Sequence, residues 1–230
     1  MLPPDHGLIY TETNLAHLFP EPWNMVTSAL FLIPALYWII KLKGFSRQHQ
    51  FLSIAAWLLL VGCIGGTIYH GLRRWPVFIM MDWLPIALLC LMASVYFWMR
   101  VLGNWAYGIA ALIVFVAAEG GLRVLLANAD PQILTSLSYG VMVLMILLPL
   151  SMLLVKIRGR NLSLVIFALL AFMVALFFRV ADQWAPLPMG THFLWHTFGV
   201  IATAVIFLFI YRLNETTTVR MDTYRPNIAA

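Results

Sequence analysis

The sequence predicts an all-α integral membrane protein, a bundle of seven transmembrane helices. Hydrophobic residues make up 63% of its 230 residues, and only 10% are charged. A soluble globular domain is about half apolar, so this composition excludes that class. The apolar runs are about 20 residues long, the length with which a helix crosses a bilayer, and they lack the alternation of outer-membrane strands.

The first three spans follow a polar N-terminal segment, residues 1–22. Pro22 suits the first turn of a helix, and Trp23 is placed like an interfacial anchor. Small residues near the end of the second span, such as Gly65 and Gly66, allow neighbouring helices to approach closely. The predicted bounds are 23–40, 51–72 and 77–98.

Four further spans complete a transmembrane domain over residues 23–212, and residues 213–230 are expected to form a polar tail. In the fourth span Glu119 and Arg123 are four residues apart, which predicts an ion pair within one helix. The fifth span is nearly featureless, as expected of packing and lipid contact. The predicted bounds are 105–126, 133–155, 162–178 and 190–212.

Lysine and arginine side chains predict how the chain is oriented. Ten of them lie on the side of the first, third and fifth loops and of the C-terminal tail, and four lie on the other side. The positive-inside rule then predicts an outside N-terminus and a cytoplasmic C-terminus. Compact loops favour a bacterial plasma membrane over an organelle membrane. The net charge of +5 reports topology, and we expect no nucleic-acid partner.

Cysteines and three of the six histidines are interpreted as structural or surface residues. Cys63 and Cys90 lie in apolar runs, where a free thiol behaves as a small hydrophobe, so no disulfide is expected. His6, His17 and His49 lie in polar segments and are expected at the surface.

The other three histidines form a candidate metal site. His192 and His196 open the last span, share one face of a helix and could reach the same ion, although bonds to backbone or water would also explain them. The predicted topology places His70, at the end of an outward-running span, at the same depth. Three imidazoles with an open fourth position are the ligand set of a catalytic zinc.

Two carboxylates are predicted in the same layer as these histidines. Asp82 begins an inward-running span, where it could orient a ligand histidine or take a proton from water. It could also cap the third helix or pair with Arg73 or Arg74. Glu21 stands at the outer start of the first span.

Together these positions resemble the seven-helix hydrolase superfamily that includes alkaline ceramidases and adiponectin-type receptors. The ceramidase branch is favoured by two short elements. The matching residues are His70, Asp82, His192-x-x-x-His196, Glu21-Pro22-Trp23-Asn24 with Ser28 and Pro34 after it, and Glu12-Thr13-Asn14.

The resemblance implies a zinc-dependent lipid amidase. His70, His192 and His196 would bind zinc, and Asp82 would assist the water that attacks the amide carbonyl. The implied substrate is a ceramide-like sphingolipid of the bilayer, and the products are a fatty acid and a sphingoid base.

Two positions depart from the family pattern. The family's serine four residues before the second-span histidine is Gly66 here. Thr67, three residues before His70, is the candidate substitute, with ordinary helix packing as the alternative. The spacing from His70 to Asp82 is also one residue longer than in the alkaline ceramidases.

The resemblance further implies a calcium site. Glu12, Asn14 and Glu21 match part of its ligand set, and hard oxygen ligands are those that calcium prefers. The aspartate expected shortly before Glu12 falls on or near Ile9. Glu21 could equally bond to the neighbouring helices.

Three classes of function follow. The first is a zinc-dependent hydrolase of ceramide-like lipids or of another N-acyl or ester lipid. The second is a membrane receptor or sensor with a structural zinc site, although the long N-terminal domain common in that branch is absent. The third is a transporter, which the lack of repeats argues against. The oligomeric state cannot be read from the sequence.

Overall fold

The computed structural model describes residues 3–128 and 131–223, and the regular secondary structure of these residues is helical, without a β-strand. The helices are α1 Pro22–Ala29, α2 Leu32–Lys41, α3 Gln50–Leu72, α4 Pro76–Leu102, α5 Trp105–Leu125, α6 Pro131–Lys156, α7 Leu162–Ala181 and α8 His192–Thr223. A 3₁₀ turn at Asp182–Trp184 follows α7. The predicted all-α class is confirmed.

Six helical stretches in the described part of the chain are long and apolar enough to cross a membrane. They are Pro22–Lys41, Gln50–Leu72, Pro76–Leu102, Trp105–Leu125, Leu162–Trp184 and His192–Glu215. The described part of α6 adds a shorter apolar stretch, Gly140–Lys156. Helices of this length and apolar composition are those of an integral membrane protein, as the sequence predicted.

The first predicted span has the expected length but consists of two helices. After Ala29, the backbone N–H groups of Leu30 and Phe31 bond to carbonyls three residues earlier, as does that of Ile33. Pro34 explains the break, because its ring offers no N–H and clashes with the carbonyl group of Leu30. The predicted span over 23–40 is therefore confirmed as Pro22–Lys41, and the structure divides it into two helices.

The last helix extends beyond its prediction. It begins at His192 and continues past Arg212 to Thr223, so part of the predicted tail is helical. Residues 224–230 lie outside the described residues, and so does Arg225, which was counted for the topology.

Two units make up the chain: residues 1–85 together with 161–230, and residues 86–160. In the first unit α1 and α2 pack on α3, α7 packs on α8, and α1 also contacts α8. On α7 the buried residues Ala168, Ala171 and Ala175 lie along one face. Small residues of this kind let membrane helices approach closely.

In the second unit α5 packs against α6. The predicted pair within α5 is confirmed, with Arg123 Nε lying 3.9 Å from Oε2 of Glu119. The hydroxyl group of Ser138 donates a hydrogen bond of 2.8 Å to the same carboxylate oxygen. Glu119 is therefore used within this unit.

His49 is buried, although the sequence predicted it at the surface. Its Nε2 lies 3.0 Å from Oε1 of Glu215, and its ring stacks on Tyr211 with centroids 4.6 Å apart. Both partners belong to α8, and no sequence pattern predicted that this helix continues beyond Arg212. His6 and His17 are exposed, as predicted. Cys63 and Cys90 are free.

Candidate metal centre

Three buried histidines meet in the first unit. His70 lies in the last turn of α3, and His192 and His196 lie at the start of α8. One ring nitrogen from each lies within 4.8 Å of the others, and in the described residues this is the group of side chains that could hold a metal ion. The predicted meeting of these histidines is confirmed.

Two nitrogens of the cluster have no hydrogen-bond partner in the described structure. They are Nε2 of His70 and Nδ1 of His192, both buried. Leaving a buried polar atom unpaired costs about 1–3 kcal/mol, so a partner is expected. A coordinated cation supplies one. Neutral imidazoles suit zinc and several other transition metals, so the residues present fit such an ion.

Glu21 fixes the tautomer of His70. Nδ1 of His70 lies 2.5 Å from Oε2 of Glu21, and both side chains are fully buried. An ionised carboxylate only accepts hydrogen bonds, so Nδ1 carries the proton. The lone pair of Nε2 is then free for a metal, in the arrangement by which carboxylates commonly orient ligand histidines.

Thr27 fixes the tautomer of His196, as Glu21 does for His70. Its hydroxyl group donates to the carbonyl oxygen of Trp23 at 2.7 Å and lies 3.2 Å from Nδ1 of His196. Because the single hydroxyl proton is already used, Nδ1 of His196 is the donor in the second contact. Nε2 of His196 is therefore left as the candidate ligand atom.

His192 is held through its backbone and its ring face. Asp182 Oδ1 accepts hydrogen bonds from the N–H groups of Thr191 at 2.7 Å and His192 at 3.0 Å, which caps the start of α8. The other carboxylate oxygen of Asp182 accepts from the N–H of Thr11. The Tyr10 ring stacks on His192 with centroids 3.8 Å apart. The N-terminal segment thus covers one side of the cluster.

Behind His70 lies a buried ion network centred on Arg73. Asp5 receives two hydrogen bonds from the guanidinium group, from Nε at 2.8 Å and from Nη2 at 3.2 Å, and Glu21 receives one from Nη1. Burial raises the pKa of Glu21, but the contacts with His70, Arg73 and Thr13 together lower it by more. The pKa of Glu21 therefore lies below its ordinary value. Two carboxylates against one guanidinium leave an excess negative charge, which favours a cation nearby.

Asp82 lies against α3 at Gly66, which is one helical turn before His70. A side-chain carbon added at Gly66 would overlap Oδ1 of Asp82. The two alternative roles of Asp82 are excluded: α4 begins at Pro76, so Asp82 is beyond its first turn, and Arg73 pairs with other residues. In the described residues no ion pair joins Asp82 to Arg74.

Thr67 uses its hydroxyl proton within its own helix. Its hydroxyl group donates a hydrogen bond of 2.7 Å to the carbonyl oxygen of Cys63, one turn earlier in α3. This is the usual bond of a threonine to its own helix. The helix-packing interpretation of Thr67 therefore accounts for its contact.

The residues predicted for calcium have separate partners. Glu12 caps α1, accepting from the N–H groups of Trp23 at 2.5 Å and Asn24 at 3.0 Å. Its pKa is raised because burial outweighs these bonds. Asn14 Oδ1 accepts from the N–H of Ala16, and Glu21 binds His70 and Arg73. Each of these residues thus has hydrogen-bond partners of its own, and calcium stays a prediction.

Several residues of the site were missed in the sequence. Asp5 and Asp182 carried no motif, because their contacts cross long stretches of chain, and Thr27 was not singled out. The Glu-x-Trp-Asn element did signal the region that holds Glu21, and the bonds of Glu21 to His70 and Arg73 agree with the alternative that it bonds to a neighbouring helix.

No protein-family model matches this chain, and no curated protein matches it. The resemblance to seven-helix hydrolases therefore stays a prediction, and the geometry of the cluster carries the functional argument.

Proposed function

We propose that this protein is a zinc-dependent lipid amidase of the membrane, which hydrolyses the N-acyl bond of a ceramide-like sphingolipid to a fatty acid and a sphingoid base. The observation that carries the proposal is the cluster of three buried imidazoles, two of which have an unpaired nitrogen. Structural zinc sites are closed by four protein ligands, whereas catalytic sites keep a position open for water or substrate.

The side chains around the cluster would have three roles: binding the metal, orienting a ligand and accepting a proton. His70, His192 and His196 would hold zinc, which supplies Lewis acidity to polarise a carbonyl group and to make water more acidic. Glu21 holds the His70 ring in the tautomer that binds a metal. Asp82, packed beside the turn that precedes His70, would accept the proton of the attacking water.

A lipid substrate agrees with where the candidate spans begin and end. Glu21 directly precedes α1, His70 lies two residues before the end of α3, and His192 is the first residue of α8. Three spans therefore contribute side chains from the same end, which favours a site near a membrane surface, where the amide of a two-chain lipid also lies. The proposed topology has seven spans with the N-terminus outside, in a bacterial plasma membrane.

The main alternative is a receptor or sensor in which the same ion only stabilises the bundle. An open ligand position and a carboxylate beside the cluster favour hydrolysis over that role. Another N-acyl lipid or an ester would present a carbonyl group in the same way, so the head group and chain length are left to experiment.

The test is metal content together with hydrolysis. Protein purified in detergent without chelator is analysed for metals, and release of fatty acid is measured from a panel of ceramides, other N-acyl lipids and esters. The variants are His196→Ala and, as a matched control, His17→Ala, whose histidine is exposed. We expect about one zinc per chain in wild type and His17→Ala, and loss of zinc and hydrolysis together in His196→Ala.

Other outcomes separate the alternatives. Zinc without hydrolysis of any amide or ester would move the function to a receptor or sensor. Hydrolysis of esters alone would keep the enzyme and change its substrate. Protein without metal, with His196→Ala indistinguishable from wild type, would remove the metal centre itself.

A further inference from the structure

Gly66 marks a point where two oxygen atoms from other helices meet α3. Gly66 lies one turn before His70, and a carbon atom added there would overlap Oδ1 of Asp82 and lie 2.5 Å from Oγ of Ser28. Ser28 belongs to α1 and Asp82 to α4. The absence of a side chain at Gly66 therefore leaves room for a hydroxyl group and a carboxylate beside each other.

Ser28 is a buried residue whose hydroxyl group makes no hydrogen bond to another described residue. Ser28 is 2% exposed. Its neighbour Thr27 reaches Nδ1 of His196, so this part of α1 borders the metal centre. A hydroxyl group at a buried residue is stabilised by an acceptor on the protein, and Oδ1 of Asp82 lies against the same position of Gly66.

Other hydroxyl groups near this point are already used. Thr67 donates to the carbonyl oxygen of Cys63, and Thr27 donates to that of Trp23. Ser28 is thus the hydroxyl group beside Asp82 whose proton is free in the described structure. The Asp82 carboxylate, in turn, accepts no hydrogen bond from the described residues.

We propose that Ser28 is a positioning residue, which donates a hydrogen bond from its hydroxyl group to Oδ1 of Asp82 and so holds the carboxylate toward the metal centre. The inference rests on the proposed metal-dependent hydrolase, and it assigns the orientation of Asp82 to α1. The hydroxyl group of Ser28, from α1, thereby occupies the space beside Gly66, where α3 has no side chain.

Cobalt provides a readout that does not depend on hydrolysis. Co²⁺ is bound to the metal-free protein, and its visible absorption bands, which respond to ionisation near the metal, are followed against pH without substrate. A hydrogen bond donated to a carboxylate favours its ionised form. In Ser28→Ala we therefore expect the absorbance transition at higher pH, by about 1 unit if a bond to a charged group is lost.

A double-mutant cycle assigns the shift to Asp82. Ser28→Ala introduced into Asp82→Asn should cause no further shift, because the group on which it acts is gone. Ser28→Cys keeps the side-chain size with a weaker donor and should give a smaller shift, which covers the case in which Ser28→Ala fails to fold. Ser53→Ala, a buried serine bonded at the other end of α3, is the matched control and should match wild type.

The outcomes distinguish this inference from the proposed function. If no lipid is hydrolysed but the cobalt transition shifts as described, the proposed function fails and the role of Ser28 stands. If lipid is hydrolysed while Ser28→Ala and Ser28→Cys titrate like wild type, the role of Ser28 is overturned. An equal shift in the Asp82→Asn background, or no binding of Co²⁺, also overturns it.

Discussion

The Nδ1 atom of His70 lies 2.5 Å from Oε2 of Glu21, in a contact from which water is excluded on both sides. The pair joins the residue before α1 to the last turn of α3, and Arg73 holds the other oxygen of the same carboxylate. One carboxylate therefore sets the orientation of a candidate ligand and anchors a buried cation. Position 21 therefore links the candidate ligand to the buried ion network.

Replacing Glu21 with glutamine should weaken metal binding. The amide keeps the shape of the side chain but lacks the charge that favours a proton on Nδ1 of His70, and such changes typically lower metal affinity by roughly 10–100-fold. Competition against a coloured chelator measures the affinity. Glu215→Gln, a carboxylate bonded to His49 at the far end of α3, is the control and should bind metal like wild type. Equal affinity in all three proteins would contradict the orienting role.

Replacing Arg73 with methionine should destabilise the protein strongly. It leaves Asp5 and Glu21 buried without their guanidinium partner, and breaking a buried ion pair typically costs about 3–5 kcal/mol. Thermal unfolding in detergent measures the loss. Arg74→Met is the matched control, because Arg74 is exposed and its replacement should change little.

The Arg73→Met defect should depend on pH. In wild type the pKa of Glu21 is below its ordinary value, so its contribution to stability is present above that ordinary value and is lost as the pH falls through the folded-state pKa. Without the guanidinium group the buried carboxylate of Glu21 prefers to be protonated. The difference in unfolding temperature between variant and wild type should therefore shrink as the pH is lowered from 7 toward 4. A difference that is constant over this range would contradict the charge argument.

Replacing Asp182 with alanine should loosen the start of α8. The carboxylate accepts from the N–H groups of Thr191 and His192 and from that of Thr11, so its removal leaves three donors unpaired. Loss of a helix cap alone typically costs about 1 kcal/mol, and the further donors add to it. We expect a lower unfolding temperature and faster release of metal to a chelator. An Asp182→Ala protein that retains metal like wild type would show that His192 is held by other means.

Gly66→Ala tests the close approach at α3. The added carbon would overlap Oδ1 of Asp82, so either that carboxylate moves or the helices separate. We expect reduced hydrolysis and a lower unfolding temperature. Gly120→Ala is the matched control: nothing lies within 4 Å of its added carbon, and alanine favours a helix over glycine. Equal behaviour of the two variants would mean that the site tolerates displacement of Asp82.

Much of the helical framework could be predicted from the sequence, because long apolar runs leave the backbone few alternatives in a membrane. The histidine cluster was also predictable, since the direction of each span places His70 at the same end as His192 and His196. The break before Pro34 is readable from the proline itself, because proline disfavours the helical turn that precedes it.

The remaining features depend on packing between distant segments. The pairing of Arg73 with Asp5, the cap that Asp182 gives to α8 and the place of Ser28 beside Gly66 arise only when several helices are assembled. No local pattern encodes them. The same holds for His49, whose burial depends on how far α8 continues.

The site joins parts of the chain that are made at different times. Thr27 and His196 are in contact although 169 residues separate them in the sequence, and Glu21 and His70 both precede His192 by a long interval. During synthesis Glu21 and His70 are made long before the other two imidazoles exist. A metal held by all three histidines would be captured only after the last helix is in place, so a bound ion would mark a chain whose assembly is complete.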